Sequence, residues 1–138
     1  MASSHNGDFV ERLFSRRDAD GSKHIVKVVA PMVRYSKLPF RLLCNQWGAD
    51  LATTPMIIAE GFNKSAAARD SSFTTCAADR PLVVQFAAND PVHFGLAAQK
   101  VEPYCDAVDL NCGCPQKWAI AEGIGASLVK KPQLVRTG

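Results

Sequence analysis

Four short apolar runs frame this chain: HIVKVVAPM (24–32), ADLATTPM (49–56), PLVVQF (81–86) and DAVDLN (106–111). Each is β-branched or continuously apolar and is bounded by proline or polar residues, which marks a short strand. The run 81–86 is the clearest, apolar throughout as a strand buried on both faces should be. Helical segments lie between them. SKLPFRLLCNQWG (36–48) starts at a cap-type serine, carries Leu38, Leu42 and Leu43 on one face, and stops at Gly48. EGFNKSAAARD (60–70) reads as helix and SSFTTCAADR (71–80) as loop or irregular extended chain. NDPVHFGLAAQKVEPY (89–104) reads as a helix capped by Asp90, with Pro91 in its first turn. KPQLVRTG (131–138) opens one more. No hairpin signal separates the strands. The order β-α-β-α-β-α-β-(α) therefore predicts an α/β fold with a parallel sheet joined by right-handed crossovers. Residues 1–24 read as a flexible N-terminal extension.

Composition narrows the function classes. The 138 residues suffice for one domain, and 47% apolar with 21% charged residues is a globular balance. Sixteen basic residues are offset by 13 acidic ones, so the net charge of +3 permits nucleic-acid contact without arguing for it. No apolar run approaches the roughly 18 residues of a membrane span. The first 24 residues lack the apolar core of a secretory signal, and four acids in the first twenty count against a transit peptide. The expected compartment is the cytosol, with the nucleus open. Five cysteines at irregular spacing, without a signal peptide, do not make a disulfide framework.

In parallel α/β folds chemistry gathers beyond the C-terminal ends of the strands. Those ends are Ala30-Pro31-Met32, Thr54-Pro55-Met56, Gln85-Phe86 and Asn111-Cys112-Gly113-Cys114-Pro115. Gln85 stands out, because an amide at the end of an apolar strand must find partners. Neighbouring backbone could satisfy it; so could the edge of a flat heterocycle, since a primary amide both donates and accepts. In VDLNCGCPQ (108–116) the two cysteines have no second pair, and His5, His24 and His93 are scattered, so no structural metal is expected. A disulfide across one residue would be strained. Cys112 reads as a small core residue and Cys114 as a turn residue at the mouth. With an ordinary pKa of roughly 8.5, a cysteine there is mainly a thiol, a general acid that needs only position. An inert thiol is the alternative.

Two further stretches are less informative. AEGIGASL (121–128) is neither GxGxxG nor a P-loop, and reads as a turn that lets the chain pass close to a neighbour. Arg34, Lys37 and Arg41 could share a helical face and meet phosphates, but read better as a solvated face.

APMVRYSKLPFR, TTPMI, PLVVQFAAND, VDLNCGCPQ and GIGASLVKKPQLV occur in this order and spacing. Together they resemble the tRNA-dihydrouridine synthases, most closely the eukaryotic 20a/20b branch, over about residues 25–135. The resemblance implies an FMN-binding (β/α)8 TIM barrel that reduces a D-loop uridine of tRNA, with NADPH or NADH as reductant. It implies that Cys114 protonates C5, that Pro31 and Met32 line the flavin, that Gln85 meets its pyrimidine edge, and that Asn111 helps position flavin or base. It also implies a longer protein. A full barrel takes about 200 residues or more, and only about the first four β/α units are legible here. The family's later lysine and histidine, its phosphate site and its tRNA-gripping helical domain have no counterpart. Residues 25–138 thus read as the N-terminal half of a barrel, whose open edges suggest self-association. Two alternatives stand beside the reductase: an inactive fragment, and an FMN dehydrogenase of a free pyrimidine, dihydroorotate-type. Assays on tRNA transcripts against orotate-like substrates separate these.

Overall fold

The computed structural model describes residues 6–136 of the chain. Its centre is an all-parallel sheet of five short strands: β1 (Val28–Val29), β2 (Leu51–Thr53), β3 (Ile57–Ile58), β4 (Leu82–Ala87) and β5 (Ala107–Leu110). β2 and β3 lie on the same side of β4, and β5 lies on the other. In space the strands follow sequence order, with β2 and β3 forming one interrupted strand. The sequence predicted a single strand ending at Met56; the structure instead resumes it at Ile57, past Pro55.

β4 shows why this run is apolar throughout. Leu82, Val84 and Phe86 are fully buried on one face. There they meet Phe62, Ala97 and Val101 from the helices and Val108 and Leu110 from β5. The Phe62 and Phe86 rings pack edge to face at 5.2 Å. Strand alternation sends Val83, Gln85 and Ala87 to the opposite face, with Ala107 and Asp109 of β5. That inner face carries the polar groups.

The crossover helices are α2 (Leu38–Gln46), α3 (Ala59–Lys64), α4 (Ala66–Ser72) and α5 (Pro91–Val101). α5 starts as expected: the Asp90 carboxylate accepts the Val92 N–H at 2.8 Å, and Pro91 occupies the first turn. The single helix expected over 60–70 is split. Ser65 adopts extended backbone and its hydroxyl accepts the Ala68 N–H at 3.0 Å, capping α4. A serine competes with the helix ladder and wins at this position. Beyond the N-terminal segment, two elements lay outside the prediction, α6 (Lys117–Ala121) and a 3-10 turn (Gly125–Lys130). Each is too short to show a period. α7 (Pro132–Arg136) begins where the last helix was expected. Among the described residues no helix is long and apolar enough to cross a membrane.

The segment expected as an extension carries α1 (Asn6–Ser15), with Leu13 buried, and an antiparallel bridge between Arg17 and Lys23. Charge ties it to the sheet. His24 hydrogen-bonds Asp18 at 2.7 Å and Asp50 at 3.0 Å, and Arg16 pairs with Asp50 at 2.8 Å. Asp50 also accepts the Lys27 N–H. The Asp18 bond, then the Asp50 bond, raise the His24 pKa above its ordinary 6.5. The Lys27 N–H holds Asp50 below its ordinary 3.8. The His24 contribution is therefore complete below about pH 6.5 and lost as pH rises through the raised folded value. The Asp50 contribution is lost only as pH falls through its depressed value. Melting temperature is expected to fall from pH 6 to pH 8 in the wild type, and less in His24→Gln. An equal fall in both would remove His24 as the cause.

Candidate active site

The site is built from the C-terminal ends of the strands. After β1 the chain turns at once. The Met32 carbonyl accepts the N–H groups of Tyr35 and Ser36, and the buried Ser36 hydroxyl bonds both main-chain groups of Met32. Pro31 is exposed and Met32 half-buried on this turn. Arg41 holds it from below. Its guanidinium donates to the Ser36 carbonyl at 2.7 Å, to the Thr74 carbonyl at 2.9 Å and to Asp79 at 2.5 Å. Arg41 is 2% exposed and Asp79 fully buried. Arg34 and Lys37 are exposed, as the solvated-face reading expects, but Arg41 is turned inward and does not share that face. A guanidinium can cross to a buried carboxylate and bond it bidentately, which sequence spacing cannot show.

Between β2 and β3 the chain bulges. Thr53 pairs with Val83 and Ile57 with Phe86, so three residues, 54–56, stand opposite two, 84–85. Pro55 has no N–H to give the ladder. The Thr54 hydroxyl takes over, accepting the Gln85 N–H at 3.1 Å. Such bulges re-aim side chains near sites. Here Met56 comes to pack with Cys114 against Ala87, Ala119 and Ile124. Sequence reading found the proline and missed this role of Met56.

Gln85 is nearly buried, and its partners are side chains rather than the backbone. Its Nε2 donates to Asp109 at 2.6 Å, and its Oε1 accepts from Asn111 at 2.8 Å. The Asn111 Oδ1 accepts the N–H of Gly113 at 3.1 Å and of Cys114 at 2.9 Å. Gln85, Asn111 and Cys114 are thus one connected group; Pro31 and Met32 end the sheet's far strand, apart from it.

Cys114 is half-buried and clamped from behind. Ala126 donates to its carbonyl at 3.0 Å. A Cβ at Gly125 would lie 2.7 Å from that carbonyl and 2.9 Å from the Cys114 Cβ, and Gly125 has φ +63°. The glycine-rich stretch does let the chain pass close to a neighbour, and the neighbour is Cys114. Cys112, expected in the core, is half-buried and belongs to neither apolar cluster. Burial, then the nearby Asp109 charge, push its thiol pKa up. The cysteine in the core is Cys105, pushed by burial to about 11.

A parallel sheet with crossover helices, polar groups at its strand ends and a glycine-backed cysteine loop defines a partial (β/α) barrel of the enzyme type. The chain belongs to the dihydrouridine synthase family, whose model matches residues 28–138. Human "tRNA-dihydrouridine(20a/20b) synthase [NAD(P)+]-like" is 58% identical over 83% of this chain and 36% of its own length. The Schizosaccharomyces pombe tRNA-dihydrouridine(20a/20b) synthase is 50% identical over 82% and 34%. The Saccharomyces cerevisiae tRNA-dihydrouridine(16/17) synthase is 43% identical over 96% and 32%. The chain spans about a third of the length of these relatives.

Proposed function

We propose that this chain is the part of a flavin-dependent tRNA-uridine reductase that bears the proton donor and the residues meeting the flavin ring. The observation that carries this is the Gln85–Asn111 amide pair, joined at the strand ends to the loop that holds Cys114. The residues fit FMN. Gln85 and Asn111 each keep one N–H that no group among the described residues takes, a match for the carbonyl oxygens of a pyrimidine edge. Pro31 and Met32 end a strand two places along the sheet, roughly 10 Å away at the usual strand spacing. Gln85, Asn111, Pro31 and Met32 would hold the ring, and FMN reduced by NADPH or NADH would supply the hydride for C6 of the uridine.

The chain's own residues supply the rest. Cys114 presents a thiol proton to C5. Asn111 fixes its main chain, and Met56, Ala87 and Ile124 exclude water on one side. The uridine must leave the tRNA stack to reach this loop. The relatives are named for tRNA, which favours this reading over a dehydrogenase of free pyrimidines. Among the described residues β1 and β5 are each paired on one side only, which supports association with a second copy.

The test is a visible spectrum of residues 1–138 mixed with FMN and desalted. Retained flavin with a shifted spectrum is expected. Complete loss of flavin would overturn the claim that these residues hold the ring in this chain.

A further inference from the structure

The hydrogen bonds along the inner face of β4 and β5 have a direction, and one end of them is a carboxylate without an assigned role. Main-chain N–H groups only donate, so the Asn111 carbonyl oxygen must face Gly113 and Cys114. Its amide nitrogen then faces Gln85 and donates to Oε1 at 2.8 Å. That turns the Gln85 nitrogen towards Asp109, which accepts at 2.6 Å. An ionised carboxylate only accepts. Both ends of the chain of bonds are therefore groups that cannot reverse. Neither amide can flip without setting donor against donor or acceptor against acceptor.

We propose that Asp109 is a positioning residue. Its carboxylate secures the Gln85 end of this chain of bonds, as the Gly113 and Cys114 N–H groups secure the Asn111 end, and so stiffens the amides that hold the loop bearing Cys114. The assignment rests on the reading of Cys114 as proton donor. It also makes Asp109 a determinant of ligand choice. With the amides held from both ends, each keeps an N–H that no group among the described residues takes, so the face selects a heterocycle edge rich in carbonyl oxygens over one rich in amino groups. The anchoring bond is charge-assisted, which suits the end of such a chain.

The test is the alkylation rate of Cys114 by iodoacetamide, read peptide by peptide in the 138-residue chain carrying Cys112→Ala. Cys76 is exposed and Cys105 buried, so they report reagent and folding in the same sample. In Asp109→Leu, Cys114 is expected to react about fivefold faster, the factor set by one hydrogen bond of ordinary net strength. Cys76 and Cys105 should keep their rates. Asp109→Asn retains an acceptor oxygen and should stay within about twofold of wild type on the same scale. An unchanged Cys114 rate in Asp109→Leu, with Cys105 protected, overturns the proposal. If Asp109→Leu exposes Cys105, Gln85→Leu cuts the same chain one bond further on and decides by the same comparison. Exposure of Cys105 in both variants overturns it too, because the carboxylate would then hold the sheet rather than the loop. Neither flavin nor RNA enters this measurement. A faster Cys114 in a protein that retains no flavin would sink the functional reading and leave the role of Asp109 standing.

Discussion

Cys114→Ala is expected to lower uridine reduction by about a hundred- to ten-thousand-fold when placed in a chain of the relatives' full length. Flavin retention and tRNA binding should be unchanged. The reason is geometric. Cys114 sits on a loop fixed in front by Asn111 and behind by Gly125 and Ala126, so alanine removes the sulfur and leaves the loop as it was. Single-turnover oxidation of the reduced flavin by tRNA isolates the step. A rate within a few-fold of wild type would remove Cys114 as the acid.

Arg41→Met is expected to cost about 3–5 kcal/mol, the usual result of stranding one partner of a buried ion pair. Asp79 is fully buried and, among the described residues, would keep only Thr75 as a side-chain partner. The carbonyls of Ser36 and Thr74 would lose the same donor. Domains of this size hold about 5–15 kcal/mol in all, so the loss is a large share of the total. Arg41→Met with Asp79→Leu should recover much of it, because no buried charge is then left alone. Urea unfolding of the two variants reads the difference. A loss under about 1 kcal/mol in the single variant would mean that water reaches Asp79. Since Arg41 also holds the turn after β1, the single variant should weaken flavin retention if Pro31 and Met32 line the flavin as proposed.

Much of this was legible in the sequence. The apolar run 81–86 was the clearest strand signal, and Asp90-Pro91 a strong helix start. Alternation of such strands with helical segments led to a parallel sheet. The run VDLNCGCPQ with the other four blocks led to the family. The misses share one physical cause. The split at Ser65, the bulge at Thr54–Met56 and the short helix Lys117–Ala121 are each decided by a few bonds, below the length at which a period appears. Arg41 looked solvated because its partner, Asp79, is 38 positions away.

By itself the sequence determined which residues would stand at the strand ends: Pro31, Met32, Gln85, Asn111 and Cys114. Apolar periodicity and turn chemistry act over a few neighbours, so they are written locally. Only the tertiary structure decided how those ends are wired. That Gln85 bonds Asp109 and Asn111, that Met56 packs against the same cluster as Cys114, and that Gly125 backs the loop are contacts between segments brought together by strand pairing. They depend on register, which no single segment carries.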